Sequence, residues 1–167
     1  IRADLNSHNL KVKNSIVSNN RNVGIFVNEI NNFQVLQSVT VNGDYGIVAR
    51  LCKNIAIIHN TVFLNGSLSN QNGVAKSAIW VQSARDYGSG LSDTGKIYLI
   101  GNIAWNTVGS TLTVFSNNIE TPDLLVSNYN DFVVGDQARF ISIEDDSTYY
   151  GAGTLPRRLI TNLNRSE

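Results

Sequence analysis

The sequence is short of the residues that mark several common classes of protein. It has one cysteine and no methionine, and its 13 lysines and arginines balance 13 aspartates and glutamates. A single cysteine excludes an internal disulfide, and a net charge of zero offers no electrostatic footprint for nucleic acid or an anionic membrane. The apolar runs are far below the length that spans a bilayer. We therefore expect no nucleic-acid partner, no membrane span and, at Cys52, a small buried side chain.

Asparagine is the residue in excess. The chain contains 23 asparagines beside two prolines and two histidines. Asparagine tolerates the left-handed backbone region, and its side chain bonds to neighbouring amides, so it is common in tight turns. This excess indicates many turns, or one kind of turn repeated many times.

One pattern of short segments recurs along the chain. Asn19, Asn42 and Asn65 are 23 residues apart, and each follows a short segment of alternating apolar residues. Each copy has a second such segment after an earlier asparagine, and a third follows a glycine, as at Gly24 and Gly46. Three period-two segments separated by Asn or Gly corners are typical of a solenoid, in which the same strand of the next coil stabilises each strand.

These segments predict an all-β fold, a right-handed parallel β-helix that is a single-stranded solenoid of about five to six coils of about 23 residues. Its inward ladders would be Ile25, Ile47 and Ile79, and Val12, Val35, Ile57 and Leu99. Its corner ladder of side-chain amides would be Asn19, Asn42, Asn65 and Asn106. A β-sandwich also has short strands, but they do not recur in one order with the same corner residues. Because the chain begins inside the pattern and without methionine, we expect it to be a fragment of a longer helix.

The repeat divides the chain into a body and a tail. Coils are predicted over residues 1–143, with insertions at 66–77 and 84–95, and a polar segment at 144–167 is expected to form a cap or tail. Loops that project from a rigid scaffold commonly carry binding groups. The two insertions are therefore the predicted places for such groups.

The motif Gly46-Ile47-Val48, followed by residues 54–60 and by Val62 to Asn65, resembles the parallel β-helix repeats of the pectate-lyase-like superfamily. The resemblance covers roughly residues 5–135 and is specific for fold rather than for activity. That superfamily includes polysaccharide lyases, pectin-type glycoside hydrolases, alginate epimerases, phage tailspikes and surface adhesins. The resemblance implies a secreted or cell-surface protein of bacterial or phage origin.

The sequence contains no recognisable catalytic constellation. Glycoside hydrolysis needs paired carboxylates, and β-elimination needs a base with a charge-neutralising cation. Glu144, Asp145 and Asp146 follow the last coil, where a solvated loop is the favoured interpretation and a calcium site the minority one. We predict no cofactor, and a lyase or hydrolase stays an alternative for a longer parent.

The candidate ligand site lies on the outward face of one predicted sheet. Alternation puts Phe26, Val48 and Trp80 outside in one column, with Arg50 and Gln82 in the next. An aromatic platform beside amides and an arginine can bind the apolar face and the hydroxyls of a sugar. The same surface is equally suitable for a protein contact. The candidate ligand-binding residues are Phe26, Val48, Arg50, Lys76, Trp80, Gln82, Arg85, Asp86 and Tyr87.

Three functions are consistent with these features. The preferred one is a carbohydrate-binding segment of an extracellular polysaccharide-interacting protein, because the resemblance favours polysaccharides while catalytic chemistry is absent. The second is a lyase or hydrolase whose site includes Lys76, Arg85, Asp86 and Tyr87. The third is a structural or adhesive rod, tailspike-like or part of a filament, whose partner is another protein chain.

Overall fold

The computed structural model describes residues 1–4, 8–64, 77–83, 96–106, 110–115, 125–134, 139–143 and 148–150. Every regular element in these ranges is a β-strand. In chain order the strands are β1 (Arg2–Asp4), β2 (His8–Lys13), β3 (Ile16–Asn20), β4 (Val23–Asn28), β5 (Asn31–Leu36), β6 (Val39–Asn42), β7 (Tyr45–Ile58), β8 (Thr61–Leu64), β9 (Ser77–Ser83), β10 (Ile97–Ile100), β11 (Ile103–Asn106), β12 (Ser110–Phe115), β13 (Leu125–Asn128), β14 (Asp131–Val134), β15 (Arg139–Ile143) and β16 (Thr148–Tyr150).

The strands form an 11-stranded sheet and a 5-stranded sheet. The larger sheet contains two rows that share the long strand β7: row A, in the order β1-β4-β7-β9-β12-β15-β16, and row B, in the order β2-β5-β7-β10-β13. The smaller sheet, row C, has the order β14-β11-β8-β6-β3. Within the described ranges every pair is parallel except β15 with β16. This all-β, mostly parallel arrangement confirms the predicted class and fits a β-solenoid.

The inward ladders predicted from alternation are confirmed. Ile25, Ile47 and Ile79 lie opposite one another in row A and have no exposed surface. Row B has an equivalent buried ladder of Val12, Val35, Ile57 and Leu99. Burying one such side chain stabilises the fold by about 1.5–3 kcal/mol. These ladders bring the short strands into a common register.

A corner separates each row B strand from the row C strand that follows it. Its first residue has a positive φ, between 49° and 61°, at Asn14, Gln37, His59, Gly101 and Tyr129. Asparagine and glycine adopt this conformation at the lowest cost. The corner amides donate along the row, as from His59 N to the Ile100 carbonyl at 2.8 Å. The turn is therefore repeated together with its backbone hydrogen bonds.

The residue after each corner belongs to a ladder of polar side chains, which consists of Ser15, Ser38, Asn60, Asn102 and Asn130. Asn60 Oδ1 accepts from Ser38 N at 3.0 Å, and Asn102 Oδ1 accepts from both the backbone amide and Nδ2 of Asn60 at 3.0 Å. Asn102 Nδ2 in turn donates to the Ile57 carbonyl at 2.7 Å. Ser38, Asn60 and Asn102 are buried, so these bonds satisfy groups that water cannot reach.

The asparagine ladder predicted from the 23-residue spacing is wrong in its members. The predicted members are Asn19, Asn42, Asn65 and Asn106. A register shift between Ser18 and Asn20 puts Asn20, and not Asn19, opposite Asn42. Asn42 and Asn106 both lie opposite Leu64, and Asn65 lies outside the described residues. Residue spacing detects the repeat but cannot register a strand that contains a bulge, because the bulge adds a residue to one strand only.

Much of the predicted insertions and tail lies outside the described residues. Ser77, the last residue of the first predicted insertion, begins β9 instead, and β16 within the predicted tail pairs antiparallel with β15. The boundary after residue 143 stays a prediction. Cys52 is buried, as predicted. In the described part of the chain, no helix has the length and apolar character needed to cross a membrane.

Candidate functional site

Row A presents the predicted ligand site on its outer face. The strands β4, β7 and β9 are held by the inward isoleucines, and the residue after each isoleucine belongs to the opposite face. Phe26 lies opposite Val48, and Val48 lies opposite Trp80. The predicted column is therefore in register across three strands.

The side chains of this column are less exposed to solvent than the alternation predicts. Val48 has no exposed surface, and Phe26 and Trp80 are half-buried. The rings of Tyr45 and Trp80 have centroids 5.6 Å apart and planes tilted by 35°, while the Arg2 guanidinium lies 5.3 Å from the centroid of Phe26. Neighbouring side chains thus cover part of both rings. Val48 supports this surface and is not itself available for contact.

Charged groups border the aromatic column. Arg50 is exposed and lies opposite Asn28, whose Nδ2 donates to Glu29 Oε1 at 3.3 Å. Arg2 Nε donates to Asp4 Oδ2 at 2.6 Å in an exposed ion pair. Arg50 therefore offers guanidinium donors beside the half-buried rings.

The remaining predicted site residues are only partly placed. Gln82 lies in β9 opposite Phe115, and its side chain is outside what the structure describes. Outside the described residues altogether lie Lys76, Arg85, Asp86 and Tyr87. The structure brings together Phe26, Val48, Trp80 and Arg50, and the binding roles of all nine residues stay predictions.

Sequence reasoning missed Tyr45 as part of this surface. Strict alternation from Ile47 puts Tyr45 inside, whereas its ring contacts Trp80. The reason is Gly46, at which a Cβ would overlap the Val62 side chain and lie 2.6 Å from the Ala78 carbonyl oxygen. Gly46 therefore faces the interior next to Ile47, and the alternation breaks there. The glycine itself was the available signal.

A second outward surface, on row C, was not predicted. We call it the row C face; its two columns are Ile16, Val39, Thr61, Ile103 and Asp131, and Ser18, Val41, Phe63, Trp105 and Val133. Ile16 is 80% exposed, Ile103 46% and Trp105 45%. Phe63 and Trp105 meet edge to face, with centroids 5.7 Å apart. The signal was an apolar residue immediately after three of the five corner ladder positions, at Ile16, Val39 and Ile103.

The described residues of either face offer binding contacts and little reactive chemistry. Burial raises the pKa of Cys52 to about 12, which keeps the thiol protonated and a poor nucleophile. Among the described residues, no group of three or more His, Cys, Asp or Glu could hold a metal ion. Aromatic rings beside an arginine can pack against an apolar ring face and donate hydrogen bonds to its oxygens.

No protein-family model matches the chain. No curated protein and no solved structure is detectably similar to it either. The resemblance to pectate-lyase-like repeats therefore rests on the residues that carry it and stays a prediction.

Proposed function

We propose that the chain is a stretch of right-handed parallel β-helix, of about five to six coils, that binds polysaccharide on the outer face of row A. Register partners in β2 to β8 are 22 or 23 residues apart, which supports one coil per repeat. In this proposal the chain is part of a secreted or cell-surface protein of a bacterium or phage. Its partner is a neutral or acidic glycan.

The observation that carries the proposal is the aromatic pair Tyr45 and Trp80 beside exposed Arg50. Aromatic rings contribute a large apolar area at little cost in conformational entropy, and a rigid sheet holds them in place before binding. The guanidinium of Arg50 suits hydroxyl groups and uronic carboxylates. Phe26 extends the surface by one strand.

The test uses the two tryptophans as separate reporters. In a Trp105→Phe background, only Trp80 contributes tryptophan fluorescence, and soluble neutral and uronic-acid oligosaccharides are expected to quench it. By calorimetry, Trp80→Ala should weaken binding at least tenfold, about 1.4 kcal/mol. Trp105→Ala, the matched control on the row C face, should bind like the wild type. Thermal melts establish that both variants fold.

Failure of both oligosaccharide classes to bind would reject the proposal. Equal losses in Trp80→Ala and Trp105→Ala would place binding elsewhere. A structural or adhesive rod is the second candidate, and the exposed apolar residues of the row C face favour it.

A further inference from the structure

The row C face is apolar where a solvated sheet face would be polar. Seven of its ten residues are apolar, and Asp131 alone is charged. In a sheet with one face in water, apolar residues that point inward normally alternate with polar residues that point outward. A contiguous apolar patch on the outward face therefore marks an interaction site. This face lies on a different sheet from the row A surface.

We propose that the row C face binds the same face of a second copy of this chain, with the two 5-stranded sheets packed against each other. The inference is independent of glycan binding. Sheets that pack face to face interdigitate their side chains about 10 Å apart, and two copies of one sheet have the same strand spacing.

The composition of the face suits a protein partner better than a sugar. Ile16, Val39 and Ile103 are branched aliphatic side chains without hydrogen-bonding groups, whereas sugar hydroxyls need donors and acceptors. Phe63 and Trp105 meet at 79°, so their rings form no flat platform. Apolar residues with an aromatic centre and few charges are typical of the core of a protein interface.

A two-fold axis that runs parallel to β8, between the two copies, gives the face a complementary partner. The strand order of row C then puts β11 opposite β6 of the second copy, and β14 opposite its β3. Trp105 meets the smaller Val41, and Ile103 meets Val39. A closed, isologous pair of this kind is the commonest form of homo-oligomer.

The same arrangement brings opposite charges together at the rim. Lys13 ends β2 and precedes the corner into β3, and Asp131 begins β14, at the opposite end of row C. Both residues are exposed, and no ion pair joins either to another described residue. In the two-fold pair Lys13 approaches Asp131 of the second copy, twice per dimer.

The size of the face predicts the strength of the contact. Ten face residues and the five corner residues give 15 residues per copy, below the 20–30 per side of a standard interface. We therefore expect a reversible dimer with a Kd of about 10–100 µM.

Sedimentation equilibrium of the whole 167-residue chain, from about 5 to about 500 µM, tests the proposal. The average mass is expected to rise with concentration from that of one chain towards that of two chains. Trp105→Lys and Ile16→Asp should each weaken association at least tenfold, the second because it faces Asp131 of the second copy, and Arg50→Glu, an exposed change on row A, should not. Lys13→Asp and Asp131→Lys should each weaken it, and their combination should restore it.

A monomer throughout the concentration series would overturn the proposal, as would a dimer that survives both Trp105→Lys and Ile16→Asp. A trimer or larger assembly would reject the two-fold pairing. If Trp105→Lys does not fold, Ile16→Asp carries the test, because an 80% exposed side chain contributes little to the core.

Discussion

Thr40 places a hydroxyl in the interior of row C. Its neighbours in the inward column are Val17, Val62 and, one strand further, Ala104. Thr40 Oγ1 is buried and has no hydrogen-bond partner among the described residues. A hydroxyl that loses water without gaining a partner costs about 1–3 kcal/mol.

Thr40→Val should raise the free energy of unfolding by about 1 kcal/mol, because a methyl group of similar shape replaces the desolvated oxygen. Urea denaturation checks this as a higher midpoint at an unchanged m-value. The control is Thr61→Val at the exposed position of the next strand, which should stay within about 0.5 kcal/mol. A destabilised Thr40→Val would show that the hydroxyl has a partner.

Cys52 shows how burial controls a reactive side chain. Desolvation is the main cause of its raised pKa, about 12 against an ordinary 9.0. Its Sγ lies 3.2 Å from the Arg50 carbonyl oxygen, to which the thiol donates. The native protein therefore binds the thiol proton over a pH range in which the unfolded chain releases it.

Native stability should fall as the pH rises from about 9 to about 12, by about 1.4 kcal/mol per unit from this group, since the unfolded state then binds fewer protons. Denaturation of wild type and of Cys52→Ala at each pH isolates the contribution, because other titrating groups are common to both. A thiol reagent at neutral pH should label Cys52 only as fast as the chain opens. Identical pH slopes for the two proteins would contradict the prediction.

At the scale of elements, the corner between rows B and C depends on its side-chain ladder. Asn102 accepts from Asn60, donates to the Ile57 carbonyl and donates to Asn130 Oδ1 at 2.9 Å. Its removal leaves the backbone amide of Asn60 without a partner in a buried corner and takes the side-chain donor away from the Ile57 carbonyl. A buried group left unsatisfied costs more than a hydrogen bond that water can replace.

Asn102→Ala should therefore lower the free energy of unfolding by about 2–4 kcal/mol. Asn102→Ser should be less destabilising than Asn102→Ala, because Ser38 occupies the equivalent ladder position and its Oγ donates to the Leu36 carbonyl at 2.9 Å. Asn20→Ala is the matched control, since it removes one exposed hydrogen bond to Ser18, and its effect should stay within about 0.5 kcal/mol. Equal effects at Asn102 and Asn20 would mean that water enters the corner.

A second amide ladder shows that position decides the energetic value of a hydrogen bond. Asn32 Nδ2 donates to Asn9 Oδ1 at 2.9 Å, and Asn54 Nδ2 donates to Asn32 Oδ1 at 3.0 Å. All three residues have positive φ, but these bonds are exposed to water. Water competes for them, so we expect their main role to be support of the left-handed backbone rather than of the core.

At the scale of the whole molecule, Gly46 lies where the two sheets are in close contact. It belongs to row A, yet a Cβ there would overlap the Val62 side chain of row C and lie 3.1 Å from Thr40 Oγ1. Close packing leaves no room for one more carbon, since the interior is as dense as an organic crystal.

Gly46→Ala should destabilise the protein by about 2–3 kcal/mol or more, because the added methyl group forces the sheets apart. Thermal or urea denaturation measures the loss. Val62→Ala alone should also destabilise the protein, because it leaves a cavity. The double variant Gly46→Ala/Val62→Ala should lose less unfolding free energy than the sum of the two single variants. Additive losses would show that Val62 is not the obstacle and that the Ala78 carbonyl is.

Much of the fold could be predicted because it depends on local periodicity. Alternation identified the inward ladders, and similar spacing between copies put Phe26, Val48 and Trp80 in register. The predicted asparagine ladder failed at the bulge near Asn20, since an extra residue shifts the register of the residues that follow it. Tyr45 was missed because Gly46 breaks the alternation between Tyr45 and Ile47.

The amino-acid sequence by itself determined the all-β class, the parallel ladders and the residues of the row A column, because each follows from which side of a strand a residue occupies. Tertiary structure alone decided that Val48 is covered and that Tyr45 contacts Trp80. It also decided that the polar corner ladder contains Ser15, Ser38, Asn60, Asn102 and Asn130, and that row C leaves an apolar face exposed. The exposure of a side chain and its hydrogen-bond partners depend on which atoms of distant strands lie within a few ångströms of it. The spacing of residues along the sequence does not specify those interatomic distances.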